Sequence, residues 1–208
     1  MSSTERELTT TSYAILGLLA IRPWSTYELA RQMRRNLHYF WPRAESNLYA
    51  EPKRLVDGGF ATSRQEPVGR RFRTLYSITE QGRSALVSWL SEPASESRLE
   101  NETLVKVMFA PYGSKGHLLE HLRRFREEQE GRLDVLRPIF EEYFRDEDPF
   151  PARVHINTLC FRLIWDHTAA HAEWAERAIA LVEGWSDVKE PENRPESVRL
   201  LREALAQR

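Results

Sequence analysis

Hydrophobic and polar positions change period several times along this chain, and each change marks an element. Residues 13–21 (YAILGLLAI) are apolar on nearly every side and stop at the breaker Arg22-Pro23, which predicts a buried helix. Ser25-Thr26-Tyr27-Glu28 has the form of a capping box, a serine hydroxyl for the Glu28 amide and a glutamate to reach back. Leu29, Met33 and Leu37 then recur at helical spacing, so a second helix is expected over about 26–37. Tyr39-Phe40-Trp41-Pro42 breaks it. A third helical pattern covers about 45–57, with Leu48, Pro52 and Leu55 on one face and Gly58-Gly59 as the stop. An interior proline costs about 3 kcal/mol, so Pro52 predicts a bend or an irregular first part.

The period next drops to two. Residues 60–66 and 71–78 alternate as strands, joined by a turn at Pro67-Val68-Gly69-Arg70. In the second strand Phe72, Thr74, Tyr76 and Ile78 share one face, and Arg71 and Arg73 the other. Thr79 can cap a fourth helix carrying Leu86, Val87 and Leu90. Three helices, a hairpin and a linker helix make a winged helix-turn-helix.

The polar stretch at 91–97 (SEPASES) is the natural boundary, dividing a first domain at 1–92 from a second at 93–208. Everything beyond it is helical in pattern. Residues 99–110 end at Pro111, and Ser114 is placed to cap a long segment reaching Phe144. Its seam is Leu118, Leu122, Phe125, Leu133 and Leu136, and Gly131 and Pro138 predict that it bends or splits. Residues 146–149 form a turn before a second long helix at 152–185, and 186–195 lead to a short final helix. On the second long helix Ile156, Leu163, His167, Ala170, Trp174, Leu181 and Trp185 form one stripe. Phe161, Trp165, Ala169, Ala172 and Ile179 form another on the opposite side. A helix apolar on two faces is covered from two directions. One face is expected to pack on its own subunit and the other across a homodimer. The expected fold is therefore mainly α, a winged helix-turn-helix followed by an all-helical dimerisation domain.

Composition narrows the function classes. With 41% hydrophobic and 29% charged residues in 208, the chain is too apolar for disorder. No run approaches the roughly 18 apolar residues of a membrane span, and the polar start MSSTERELTTTS does not resemble a signal peptide. Cys160 is the only cysteine, which excludes an intramolecular disulfide framework and fits a reducing, cytoplasmic setting. The net charge of −1 hides an asymmetry. Residues 1–90 hold thirteen Lys/Arg against eight Asp/Glu, and the remainder seventeen against twenty-three. A basic first domain on an acidic second one suits a nucleic-acid binder.

Several strings together resemble one known family. The runs TSYAILGLLAIRPWSTYELARQM, FWPRAESNLYAEPKRLVDGGF and GRRFRTLYSITEQGRSAL are similar to the PadR family of bacterial transcriptional regulators. Most similar are Tyr27-Glu28-Leu29, Leu48-Tyr49 with Lys53-Arg54-Leu55, and Tyr76-Ser77-Ile78-Thr79 leading into Gly82. The resemblance spans about residues 9–90. Pro52 departs from it, standing where the family has an apolar helix former. The resemblance implies a dimer on double-stranded DNA with an imperfect palindrome, usually a repressor, released by a small molecule or another signal.

The residues themselves suggest a division of contacts. With Leu48, Pro52 and Leu55 inward, the third helix presents Ser46, Asn47, Ala50 and Lys53, flanked by Arg54. Asn pairs bidentately with adenine and Lys donates to guanine, so Asn47 and Lys53 suit base readout. Ser46, Tyr27 and Arg43 suit phosphates, which position without specifying. Arg64, Arg70, Arg71 and Arg73 concentrate charge on the hairpin, where guanidinium groups match phosphates and narrow grooves. The competing reading is a solvated face on a winged helix that binds protein. Pairs at i, i+4, His117/His121 and His167/His171, have metal-ligand spacing, but HTAAH lacks the catalytic glutamate, so neither a metal nor a cofactor is expected. No motif of an enzyme is present. Trp165, His171 and Trp174 are the candidates for an effector site, because indole and imidazole offer stacking and hydrogen bonds.

Overall fold

The computed structural model describes residues 7–41, 45–97, 99–145, 150–189 and 194–206. Two compact units divide the chain, residues 1–97 and 98–208.

In the first unit, α1 (Thr10–Ile21) opens with a reciprocal cap between Thr9 and Ser12 and buries Ile15, Leu16, Leu18 and Leu19. A two-residue strand β1 (Trp24–Ser25) follows, then α2 (Thr26–Gln32), whose Ser25/Glu28 capping box forms as the sequence predicts. The expected second helix does not stay regular to its end. Residues Met33–Leu37 widen into a π-helical turn. Helix α3 (Glu45–Asp57) runs through Pro52, which is fully buried with Leu48 and Leu55. The ring's burial offsets the bond it cannot donate back to Leu48.

Strands β2 (Ala61–Val68) and β3 (Arg71–Ile78) pair antiparallel from Ala61↔Ile78 to Val68↔Arg71, so Pro67 and Val68 extend the strand beyond the sequence reading. Only Gly69 and Arg70 remain as the turn, with Gly69 at φ +59°. Strand β1, unrecognised in the sequence, adds to the far edge and gives the order β1-β3-β2. Thr79 caps α4 (Glu80–Ser91) and donates to the Gly59 carbonyl. Tyr13 of α1 stacks on Trp89 of α4, 4.7 Å between ring centroids.

In the second unit, α5 (Glu102–Met108) is shorter than the pattern suggested, and a 3-10 turn (Ala110–Tyr112) follows it. Helix α6 (Lys115–Phe144) is one continuous helix of 30 residues, capped by Ser114. Gly131 and Pro138 do not split it. Both lie on the exposed side, so the carbonyl that Pro138 leaves without a donor is not sealed in the core. A 3-10 turn (Pro151–Arg153) precedes α7 (Val154–Glu183), which lies antiparallel against α6. The seam joins Leu118, Leu122, Phe125, Gln129 and Leu136 to Phe161, Ile164, Thr168, Ala175, Ile179 and Val182. The spacings are three and four, or seven, as in a coiled coil. Lys115 ties down the end of α7 by donating to the carbonyls of Glu183 and Trp185. Helix α8 (Arg194–Ala206) is the short final helix. The expected turn at 146–149 lies outside the described residues. Among the described residues no helix is long and apolar enough to cross a membrane.

Candidate nucleic-acid interface

The first unit brings α2, α3 and the hairpin into the arrangement by which a winged helix meets a groove. Helix α3 turns Leu48, Glu51, Pro52 and Leu55 inward and leaves Tyr49, Ala50, Lys53 and Arg54 on its outer side. Ser46 and Asn47 fall in its first turn, where a recognition helix meets base edges. Their side chains, and all of Arg43, lie outside the described residues. Tyr49 is exposed on the same side as Lys53 and was not singled out from the sequence. An aromatic placed four residues before Lys53 and opposite the Leu48/Leu55 face was the available signal.

Arg54 is held differently from Lys53. Its guanidinium donates to Glu51 at 2.8 Å, and the same buried carboxylate accepts from Ser12 of α1. The trio fastens α3 to α1, so Arg54 supports the helix before it can serve as a free cation.

Tyr27 stands exposed in the first turn of α2. It borders a depression of about 420 Å³ shared with Ser25, Glu28, Arg73 and Thr74. The capping glutamate beneath it is partly buried, which pushes its carboxyl up. The hydrogen bonds from the Ser25 amide and hydroxyl, with Arg22 and Arg73 nearby, outweigh that and hold Glu28 below the usual carboxylate range.

On the hairpin, register decides which arginines are free. Glu66 lies opposite Arg73 and accepts from it at 2.6 Å, while Arg64 approaches the same carboxylate at 3.8 Å. The structure thus brings Arg64, Arg71 and Arg73 onto one face, but sets Glu66 among them. Arg70, in the turn, and Arg71, beginning β3, are exposed and form no ion pair with a described residue. Phe72 projects from the other face and is 74% exposed. The best-buried residue of β3 is Leu75, on the arginine face, where β3 also meets α1 and α2.

The effector candidates separate. His171 and Trp174 meet at Phe125 of α6, with centroids 5.6 and 5.8 Å from its ring. Trp165 lies farther along α7 against Phe140, with the Arg137 guanidinium 5.5 Å over its ring. His167 and His171 approach to 4.1 Å. Among the described residues no three His, Cys, Asp or Glu side chains converge as a metal site would require. Cys160 is free and exposed on α7.

Three helices with a three-stranded wing define the class, a winged-helix fold with its outer helix face and hairpin open to a duplex. Residues 15–88 match the model of the PadR-like family of transcriptional regulators, and residues 99–183 match the C-terminal domain of virulence activator alpha. The negative transcriptional regulator PadR of Bacillus subtilis is 25% identical over 176 residues, 82% of this chain and 96% of that protein. "Probable transcriptional regulator Rv1176c" of Mycobacterium tuberculosis is 30% identical over 146 residues, 64% of this chain and 77% of that one. The crystal structure of Bacillus subtilis PadR with operator DNA superposes with a TM-score of 0.72 at 23% identity, covering 84% of this chain and 99% of that chain. The same protein with p-coumaric acid gives 0.68 at 22% identity, over 88% of this chain and 100% of that one. The chain belongs to the PadR-like family and is a DNA-binding transcriptional regulator.

Proposed function

We propose that the chain is a cytoplasmic homodimer that represses transcription from an imperfect palindrome, through residues 1–92, and is released when a small molecule binds residues 93–208. The observation that carries the DNA reading is the pairing of an open α3 face with the ion-pair-free Arg70 and Arg71 at the hairpin tip. Asn47 and Lys53 read bases. Tyr27, Arg43, Ser46 and the wing arginines hold phosphates, and Arg54 assists through α3. Dimerisation is supported by Ile156, Leu159 and Leu163, an apolar row on α7 that faces away from α6 and stays exposed in the single chain. Repression and release by an effector are supported by the Bacillus subtilis relative, a negative regulator whose structures include operator DNA and p-coumaric acid. The test is duplex binding by fluorescence anisotropy over a salt series, with a genomic site recovered by footprinting. A two-fold related footprint and a steep salt slope are expected. Salt-independent binding, or none, overturns the reading.

A further inference from the structure

We propose that Phe72, near the hairpin tip, is an apolar wedge that enters the minor groove of duplex DNA and pries apart a flexible base step. The proposal rests on the DNA reading above and adds to it a contact that carries no charge.

Register builds the wedge. Pro67 lies directly opposite Phe72, and Gln65 opposite Thr74, so these four residues share one face of the hairpin. That face is neutral, with the Gln65 amide donating to the Thr74 hydroxyl at 3.0 Å. Arg64, Glu66, Arg71 and Arg73 all fall on the opposite face. Strand β1 pairs with β3 only at Leu75 and Tyr76, so the last four residue pairs stand as a two-stranded ribbon. At ~3.4 Å per residue the ribbon reaches about 14 Å past its three-stranded base. Its end is slim, because Arg70 supplies the only side chain of the Gly69-Arg70 turn. Phe72 is 74% exposed there and makes no ring contact with a described residue.

Charge decides what covers the ring. Arg70 and Arg71 precede it without an ion pair to a described residue, and no acidic residue occurs from Pro67 to Ser77. An apolar ring beside uncommitted guanidinium groups matches a minor groove, whose rims carry phosphates and whose floor is a column of stacked base edges. The cations meet the rims and the ring meets the floor. A second copy approaching tip to tip would instead set Arg70 and Arg71 against their own counterparts, a repulsive arrangement.

The two kinds of contact prefer different DNA. A stiff A-tract narrows the groove and attracts arginine, whereas TA steps unstack readily and suit a wedge. The full-length chain is therefore titrated by anisotropy against alternating dA-dT and an A-tract of dA paired with dT, each of about 30 bp. Phosphate number and base composition are equal, so the counterion term is matched. Phe72→Ala is expected to lower the ratio of alternating to A-tract affinity by about fivefold and to leave the salt slope unchanged. Phe72→Leu, still an apolar wedge, keeps part of that ratio. Replacing Arg70 and Arg71 by Ala does the opposite, lowering the slope and raising the ratio. 2-Aminopurine at several adenines of the alternating duplex should brighten when the unsubstituted chain binds, as unstacked bases do, and stay dark with Phe72→Ala. The exposed position keeps the unfolding midpoint of Phe72→Ala unchanged. A ratio and a 2-aminopurine signal that survive Phe72→Ala overturn the wedge and leave the DNA reading standing. Loss of self-association in Phe72→Ala by light scattering assigns the ring to a contact between copies and also overturns it. An unsubstituted chain that binds neither duplex overturns the DNA reading, and the wedge with it.

Discussion

Four wing arginines look alike in the sequence, yet the fold gives them unequal work. Glu66, one residue outside the acid-free stretch from Pro67 to Ser77, comes to lie opposite Arg73 once the turn shrinks to Gly69-Arg70. Replacing Arg70 and Arg71 by Ala is expected to weaken operator and random duplexes together and to lower the salt slope by about two, one unit for each lost phosphate contact. Arg73→Ala should do less, because it removes a cation already engaged by Glu66. Anisotropy titrations at several salt concentrations distinguish the three. Glycine 82 sets a different limit. A Cβ there would come 2.1 Å from the Phe60 carbonyl oxygen, where α4 crosses the turn before β2. Gly82→Ala must push the two apart and should cost about 1–3 kcal/mol, as overpacking does, measured by urea unfolding. Of the site residues, Lys53 and the turn arginines were legible because exposure on a helix face or at a hairpin tip follows from period alone. The engagement of Arg54 by Glu51 was not, since Ser12, 39 residues away, takes part in it.

At the scale of elements, local signals were sufficient wherever the ends of a helix are set by its own caps. Thr79, Ser114 and the Ser25/Glu28 box each start a helix where the sequence places it. Signals failed where a neighbour overrides propensity. The two-residue strand β1 forms by pairing with β3, distant in sequence, and α6 runs unbroken because Pro138 lies on its exposed side. The capping box also carries a pH dependence. Glu28 has a lowered pKa in the folded chain, so its contribution is fully present above the ordinary carboxylate value of 4.5 and is lost as pH falls through the lower folded value. His171, with a folded pKa below its ordinary 6.5, gives a second loss that begins higher, as falling pH protonates the unfolded chain first. The charges acting on it are His167 of its own helix and Arg132 of α6. Unfolding midpoints followed from pH 7 downward should show both steps. Glu28→Gln, which can still cap, should remove the lower step alone, and His171→Phe the upper one. A profile unchanged in Glu28→Gln would mean that other carboxylates govern the acid limb.

At the scale of the whole molecule, the uncovered row on α7 bears on the proposed dimer and its proposed palindrome. The Phe161 stripe packs on α6, but Ile156, Leu159 and Leu163 of the opposite side are left to solvent, Leu159 and Leu163 each 70% exposed. Burying apolar surface contributes about 25 cal/mol per Å², so several such side chains on each copy are a substantial drive to associate. The intact chain is expected to be a dimer at micromolar concentration by light scattering, and a chain ending at Glu92 a monomer. Leu159→Glu with Leu163→Glu should give a folded monomer, because neither residue belongs to the α6 seam. Two recognition helices must enter grooves about 34–36 Å apart, one turn of the duplex, and a dimer fixes that span in advance. Once one head is bound, the second binds from an effective concentration set by the linkage. Losing the dimer should therefore lower affinity for the full palindrome by about 10²–10⁴ while leaving an isolated half-site almost unchanged. A doubly substituted chain that still scatters as a dimer would place the interface elsewhere. A monomer that kept full affinity for the palindrome would show that each half-site is bound independently.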